Sequence, residues 1–124
     1  MATRDDVRRI ALSLPAASEA GGFSFVVAGN SFAWPWMERV HPKRPRVANP
    51  DVLAVRVANE LEKQSLLGLD REIFFTEPHY DGYPAVLVRL PAIDVGLLEA
   101  VLTDAWRSRA PRRLLADFST TFRR

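Results

Sequence analysis

The sequence predicts an α+β fold, a two-layer domain whose antiparallel β-sheet carries the N- and C-terminal helices on one face. Three observations lead there. The elements read as helix, two or three strands, short helix, two strands, helix, so strands are grouped rather than alternating with helices. The links between strands are too short and hairpin-like for a doubly wound parallel sheet. The chain has 124 residues, 48% of them hydrophobic, and a domain of that size hides roughly two thirds of its unfolded surface. One domain is expected over residues 1–118, with a flexible tail at 119–124.

The first helix is expected over residues 3–14. Thr3 and Asp6 have capping-box spacing, and Val7, Ile10, Ala11 and Leu14 fall at i, i+3, i+4 and i+7. Pro15 and Gly21-Gly22 then open a loop. Phe23 to Val27 has β composition, AGNS is a turn signal, and Ser31 to Trp36 forms the second arm of a hairpin. In that arm Phe32, Trp34 and Trp36 alternate onto one face, where large aromatic residues are expected to fill core; exposed, the two tryptophans could instead stack on bases. Pro35 places the arm at an edge or a bulge. HPKRPRVANPD, residues 41–51, holds three prolines and is read as a long loop or ragged wing. Val52 to Ala58 is a strand. Asn59 with Glu62 caps a short helix through Leu67, and Gly68 is the expected stop. Ile73 to Thr76 and Ala85 to Leu90 are strands, and Asp94 caps a last helix with Val95, Leu98, Val101, Leu102 and Ala105 on one face and Trp106 beside it.

Composition removes several kinds of chemistry. There is no cysteine, which excludes disulfides, thiolate metal sites and cysteine nucleophiles. No apolar run approaches the roughly 20 residues that cross a bilayer, and the N-terminus lacks the solid apolar block of a signal peptide. A cytoplasmic protein without a membrane role is therefore expected. The net charge of +2, with a pI near 9.5, permits a polyanionic partner without demanding one.

Candidate sites are few. TEPHYDGYPAVLVRL, residues 76–90, crowds Glu77, His79, Tyr80, Asp81 and Tyr83 together. His79 could act as a base or a metal ligand, but the only other histidine, His41, follows a separate strand and no HxH or HxxxH spacing exists. The stretch reads better as a corner between two strands. Asp81-Gly82 is a turn dipeptide, and Tyr80 and Tyr83 fold their rings back onto the sheet. No serine lies in a GxSxG or SxxK setting, and there is no phosphate-cradling glycine loop. No catalytic residue, cofactor site or metal site is assigned.

The basic cluster Arg39, Lys43, Arg44 and Arg46 is the strongest candidate. Four cations within eight positions, stiffened by Pro42 and Pro45, suit either a solvated loop or a wing that lays Arg and Lys against phosphates. A second set, Arg107, Arg109, Arg112 and Arg113, is explained by the helix C-terminus it compensates.

The helix ending ALSLPAASE, the hairpin FSFVVAGNSFAW and the block FFTEPHYDGYPAVLVRLPAIDVGLLEAVLTDAWRSRAP resemble the MmcQ/YjbR family of small bacterial proteins, in particular its actinobacterial members. The resemblance runs from about Arg4 to Phe118. It implies a CyaY-like α+β fold and the family's label of DNA-binding protein, attached to a double-wing arrangement of hairpins. It implies no catalytic residues. HPKRPRVANPD departs from the family pattern in being longer and richer in proline. The expected function is thus a DNA-binding or regulatory accessory protein that contacts phosphates through Arg39, Lys43, Arg44 and Arg46. The alternatives are a protein-interaction module, which could be homodimeric, and a small-ligand binder or enzyme with its site near His79.

Overall fold

The computed structural model describes residues 1–39 and 41–116. The tail expected at 119–124 lies outside the described residues, as do the last two positions of the expected domain. Helix α1 spans Arg4–Ser13, followed by strands β1 (Ala17–Glu19), β2 (Phe25–Val27), β3 (Asn30–Glu38) and β4 (Val47–Arg56). Helix α2 (Glu60–Leu69), strands β5 (Phe74–Phe75) and β6 (Ala85–Arg89) and helix α3 (Val95–Arg109) complete the order. The six strands form one sheet in the order β1-β2-β3-β4-β6-β5, antiparallel at every pairing. The fold is the expected two-layer α+β arrangement.

Local signals set the helix starts. Thr3 Oγ1 accepts from the Asp6 N–H at 3.2 Å while the Asp6 carboxylate accepts from the Thr3 N–H at 2.9 Å, closing the capping box of α1. Asn59 and Asp94 cap α2 and α3 by the side-chain bond alone, accepting from the N–H of Glu62 and of Leu97. Helix α1 buries Val7, Ile10 and Ala11, and α3 buries Leu98, Val101, Leu102, Ala105 and Trp106, in one core with the sheet.

Three elements differ from the sequence expectation. β1 forms where a loop is predicted, because its three residues owe their strand geometry to pairing with β2. β4 begins at Val47, five residues early; Pro50 is accommodated in the step of the β3–β4 register between Ala48 and Leu53, where it pairs with neither β3 nor β6. α2 continues through Gly68 to Leu69; Leu66 and Leu67 pack on the core, and that burial outweighs the roughly 1 kcal/mol helix cost of glycine. Phe32 also parts from Trp34 and Trp36. The β2–β3 register steps between Phe25↔Ala33 and Val26↔Ser31, leaving Phe32 as the extra residue of a bulge that turns its ring into the helix-side core.

Among the loops that hold residues in the left-handed region are those of Phe23 and Ala28. Phe23, at φ 59°, is buried and donates its N–H to Glu19 Oε2 at 3.0 Å. Arg8 grips the same carboxylate through Nε and Nη2 at 2.8 and 2.9 Å. Those bonds, the Arg8 guanidinium first, hold the Glu19 carboxyl below its usual range although burial opposes them. In the β2–β3 hairpin the two turn residues are Ala28 at φ 49° and Gly29 at φ 81°, the pattern of a type I′ turn. An alanine there carries about 1 kcal/mol of steric cost. Ala28→Gly should therefore stabilise the protein by about 0.5 kcal/mol after the greater freedom of glycine in the unfolded chain is counted. In thermal unfolding that is a rise of about 2 °C; a lower Tm would mean the turn is not held left-handed at this position.

Candidate nucleic-acid interface

Strands β3 and β4 together build the basic projection. Pairing between β4 and β6 runs from Val52↔Arg89 to Arg56↔Ala85, so the β4 residues paired before Val52, Val47 and Ala48, have β3 alone as their partner. There Met37↔Ala48 and Glu38↔Val47 form the last rungs of a two-stranded ribbon that leaves the sheet. The register shift between Pro35 and Met37 marks the bend where it departs. Pro35 is tolerated because β2 pairing ends at Ala33; the expected bulge is present, and the strand is internal at its base rather than an edge.

Arg39 and residues 41–46 form the tip of this ribbon, and the sequence from 39 to 46 contains four cations and no carboxylate. The structure brings Arg39, Lys43, Arg44 and Arg46 together there, and all four are exposed. Two of them also shape the loop. Arg39 Nη1 donates to the carbonyl oxygens of Arg44 (2.8 Å) and Pro42 (3.3 Å), and Arg46 Nη1 donates to Met37 O at 3.0 Å. A guanidinium has five N–H donors, so both keep donors for a ligand. The Lys43 and Arg44 side chains make no hydrogen bond or ion pair among the described residues. His41 Nδ1 accepts from the Lys43 N–H at 3.2 Å, placing this histidine within the loop.

The C-terminal arginines lie elsewhere. Asn30 Nδ2, at the start of β3, donates to Arg109 O at 3.2 Å, whereas the wing leaves the other end of that nine-residue strand. At ~3.3 Å per residue the two basic sets stand roughly 25 Å apart along β3, so they do not form a single patch.

The sheet face opposite α1 and α3 carries a second, smaller cluster. Val52, Ala54, Tyr80, Ala85 and Leu87 are buried there beneath half-buried Trp34, Trp36 and Phe75. Trp34, Ala54, Leu87 and Phe75 lie in one row across β3, β4, β6 and β5. The tryptophans are therefore not interior core, as expected from their size, but the outer layer of a thin one. Trp36 meets Phe75 edge-on at 5.8 Å between ring centres, and Trp34 meets Tyr83 at 6.4 Å. Two arginines lie over this layer, Arg89 at 3.9 Å from the centre of the Phe75 ring and Arg56 at 5.4 Å from that of Tyr83.

The polar stretch that sequence singled out folds onto this face as a corner. A 3-10 turn, Pro78–Tyr80, buries the Tyr80 ring, and Tyr80 Oη accepts from Trp34 Nε1 at 3.2 Å. Tyr83 stays more exposed, at 42%. Lys63 of α2, buried to 2% exposure, donates through Nζ to Tyr80 O at 2.6 Å and Tyr83 O at 2.8 Å. Sequence reasoning missed this anchor, since lysine carries no signal for burial. His79 is exposed, packs against Tyr80, and lines a shallow depression of about 340 Å³ with Trp34, Tyr80 and Tyr83. Among the described residues no three His, Cys, Asp or Glu side chains gather to hold a metal ion. No helix among them is long and apolar enough to cross a membrane.

Compared with known proteins, the chain is 40% identical over 127 residues to uncharacterized protein Rv2570 of Mycobacterium tuberculosis (strain ATCC 25618 / H37Rv), covering 95% of this chain and 96% of the relative. Uncharacterized protein Mb2600 of Mycobacterium bovis matches with the same identity and coverage. No family model matches the chain, and no solved structure matches it.

Proposed function

The chain belongs to the family of the mycobacterial proteins Rv2570 and Mb2600, and we propose that it is a cytoplasmic nucleic-acid-binding accessory protein that grips phosphates through its β3–β4 wing. No catalytic step is assigned to it. One observation carries the reading: a two-stranded ribbon leaves the sheet and presents Arg39, Lys43, Arg44 and Arg46 with no carboxylate in residues 39–46. A ribbon of this kind can follow a phosphate backbone, and side chains at its tip set register on the nucleic acid rather than read bases. The resemblance to the MmcQ/YjbR family, with its DNA-binding label and paired wings, points the same way.

Fluorescence anisotropy of labelled duplex DNA tests the proposal. Four phosphate contacts give a log–log salt slope of about −3.6, so micromolar binding at ~50 mM salt should weaken about 150-fold by ~200 mM. Absence of micromolar binding of both duplex and single-stranded DNA at the lower salt overturns the proposal. The double variant Lys43→Ala/Arg44→Ala should reduce the slope to about −1.8 and leave the melting temperature unchanged, since neither side chain supports the loop.

A second reading, as a protein-interaction module, has its own observation. Leu61 and Leu69 are 78% and 60% exposed on α2, and their spacing of eight residues puts them on one helix face. That reading requires association insensitive to salt, which sedimentation at two ionic strengths would detect.

A further inference from the structure

We propose, resting on the phosphate-binding reading of the wing, that the aromatic face of the sheet stacks unpaired bases and that the ligand is single-stranded nucleic acid. The wing and this face are continuous. Arg46 donates to Met37 O, one residue beyond Trp36, and Trp36 packs on Phe75 beneath Arg89. From there the layer continues along β3 to Trp34, Tyr83 and Arg56. A strand leaving the wing thus meets rings and guanidinium groups in turn.

The chemistry of this layer fits bases better than another protein surface. Alternating aromatic rings and arginines offer flat π surfaces with positive charge beside them, which suits a base and its phosphate in every repeat. A duplex keeps its base faces stacked internally and cannot use the rings. The occupant is also defined by charge, because Arg56 and Arg89 extend the positive wing onto the face. Carboxylates stand beside the track: Asp51 and Glu72 share a depression with Arg89 at the sheet end, and Glu77 and Asp81 belong to the corner that carries Tyr80 and Tyr83. The depression lined by Trp34, His79, Tyr80 and Tyr83 gives a base a place to sit. Trp36 also keeps its indole Nε1 buried without a partner among the described residues, a donor that base or phosphate oxygen can accept from once the ring shifts.

The protein's tryptophans provide the test. Trp106 is wholly buried in the helix-side core, whereas Trp34 and Trp36 lie on the proposed path. Titration with an oligothymidylate of about twelve nucleotides, long enough to cover both wing and face, should quench tryptophan emission and bind about 10-fold more tightly than a duplex of equal length. Tyr83→Ala, at an exposed ring, should weaken oligothymidylate binding about 10-fold and leave duplex binding unchanged. Equal affinity for both forms without quenching overturns the stacking face and leaves the wing proposal standing. Failure of both forms to bind overturns the two together. Quenching that survives in a variant lacking the wing cations shows bases on the face without help from the wing, and contradicts the shared track.

Discussion

Trp106→Ala should destabilise the protein by about 4 kcal/mol and lower its melting temperature by about 15 °C. Trp106 is among the largest fully buried side chains, and it lies where α3 meets the turn after α1. Its Nε1 donates to Pro15 O at 2.9 Å, so the ring both fills the core and ties the first helix to the last. Truncation removes the apolar ring, opens a cavity that the sheet cannot collapse into, and leaves the Pro15 carbonyl without its donor. Domains of this kind have about 5–15 kcal/mol of total stability, so the variant should retain little margin. Trp106→Phe separates the two effects. It keeps most of the packing and loses the hydrogen bond, at a cost of about 1–2 kcal/mol. Equal losses for the two variants in urea unfolding would mean that the ring volume does not matter at this position.

Lys63→Ala is expected to cost about 3 kcal/mol, a large effect for a single lysine. Hydrogen bonds from a charged donor contribute about 1.5–3 kcal/mol each, and Lys63 makes two, to the carbonyl oxygens of Tyr80 and Tyr83. The cost of burying the ammonium offsets part of that gain. Its loss frees the corner from α2, and with it the Tyr80 ring that covers Ala54 and Leu87. The aromatic circular dichroism should change as well, because Trp34 loses the fixed hydroxyl to which it donates. Lys63→Met keeps the packing of the stem without its donors. A Lys63→Met protein as stable as the parent would show that the ammonium is not what holds the corner.

These two residues also mark how much of the fold was legible in the sequence. The starts of α1, α2 and α3 followed from Thr3, Asn59 and Asp94, because a cap is settled within four residues. The turn at Ala28-Gly29 and the corner at residues 76–84 were legible for the same reason. Tyr80 folds back onto the sheet as its composition suggested, and Tyr83 does so with its ring half open. What depended on distant partners was not visible. β1 exists through β2, and the bulge that turns Phe32 away from Trp34 arises from the register between two strands. Lys63 is buried by a loop seventeen residues further on.

The candidate site shows the same division. The four cations of the wing were evident from the spacing of basic residues and prolines, which is a local property. That they stand on a ribbon beyond the edge of β6 required the sheet order. The aromatic layer was half visible: the alternation of Trp34 and Trp36 was plain, but the contributions of Phe75, Tyr83, Arg56 and Arg89 come from four other segments, β5, the corner, β4 and β6. Only the pairing of β3, β4, β6 and β5 brings them onto one face. The separation of the wing from the C-terminal arginines likewise follows from β3 running between them.

The wing is the central element of this account, and the salt dependence of DNA binding measures it most directly. The parent protein and the variant Arg39→Ala/Lys43→Ala/Arg44→Ala/Arg46→Ala should be titrated with the same duplex across ~25–200 mM salt. The parent is expected to show a log–log slope of about −3.6 and the variant a slope near zero with affinity lost at the lowest salt. Circular dichroism should confirm that the sheet survives in the variant, since the ribbon tip lies outside both hydrophobic clusters. A folded variant that binds DNA with the parent's affinity and slope would contradict the assignment of phosphates to the wing.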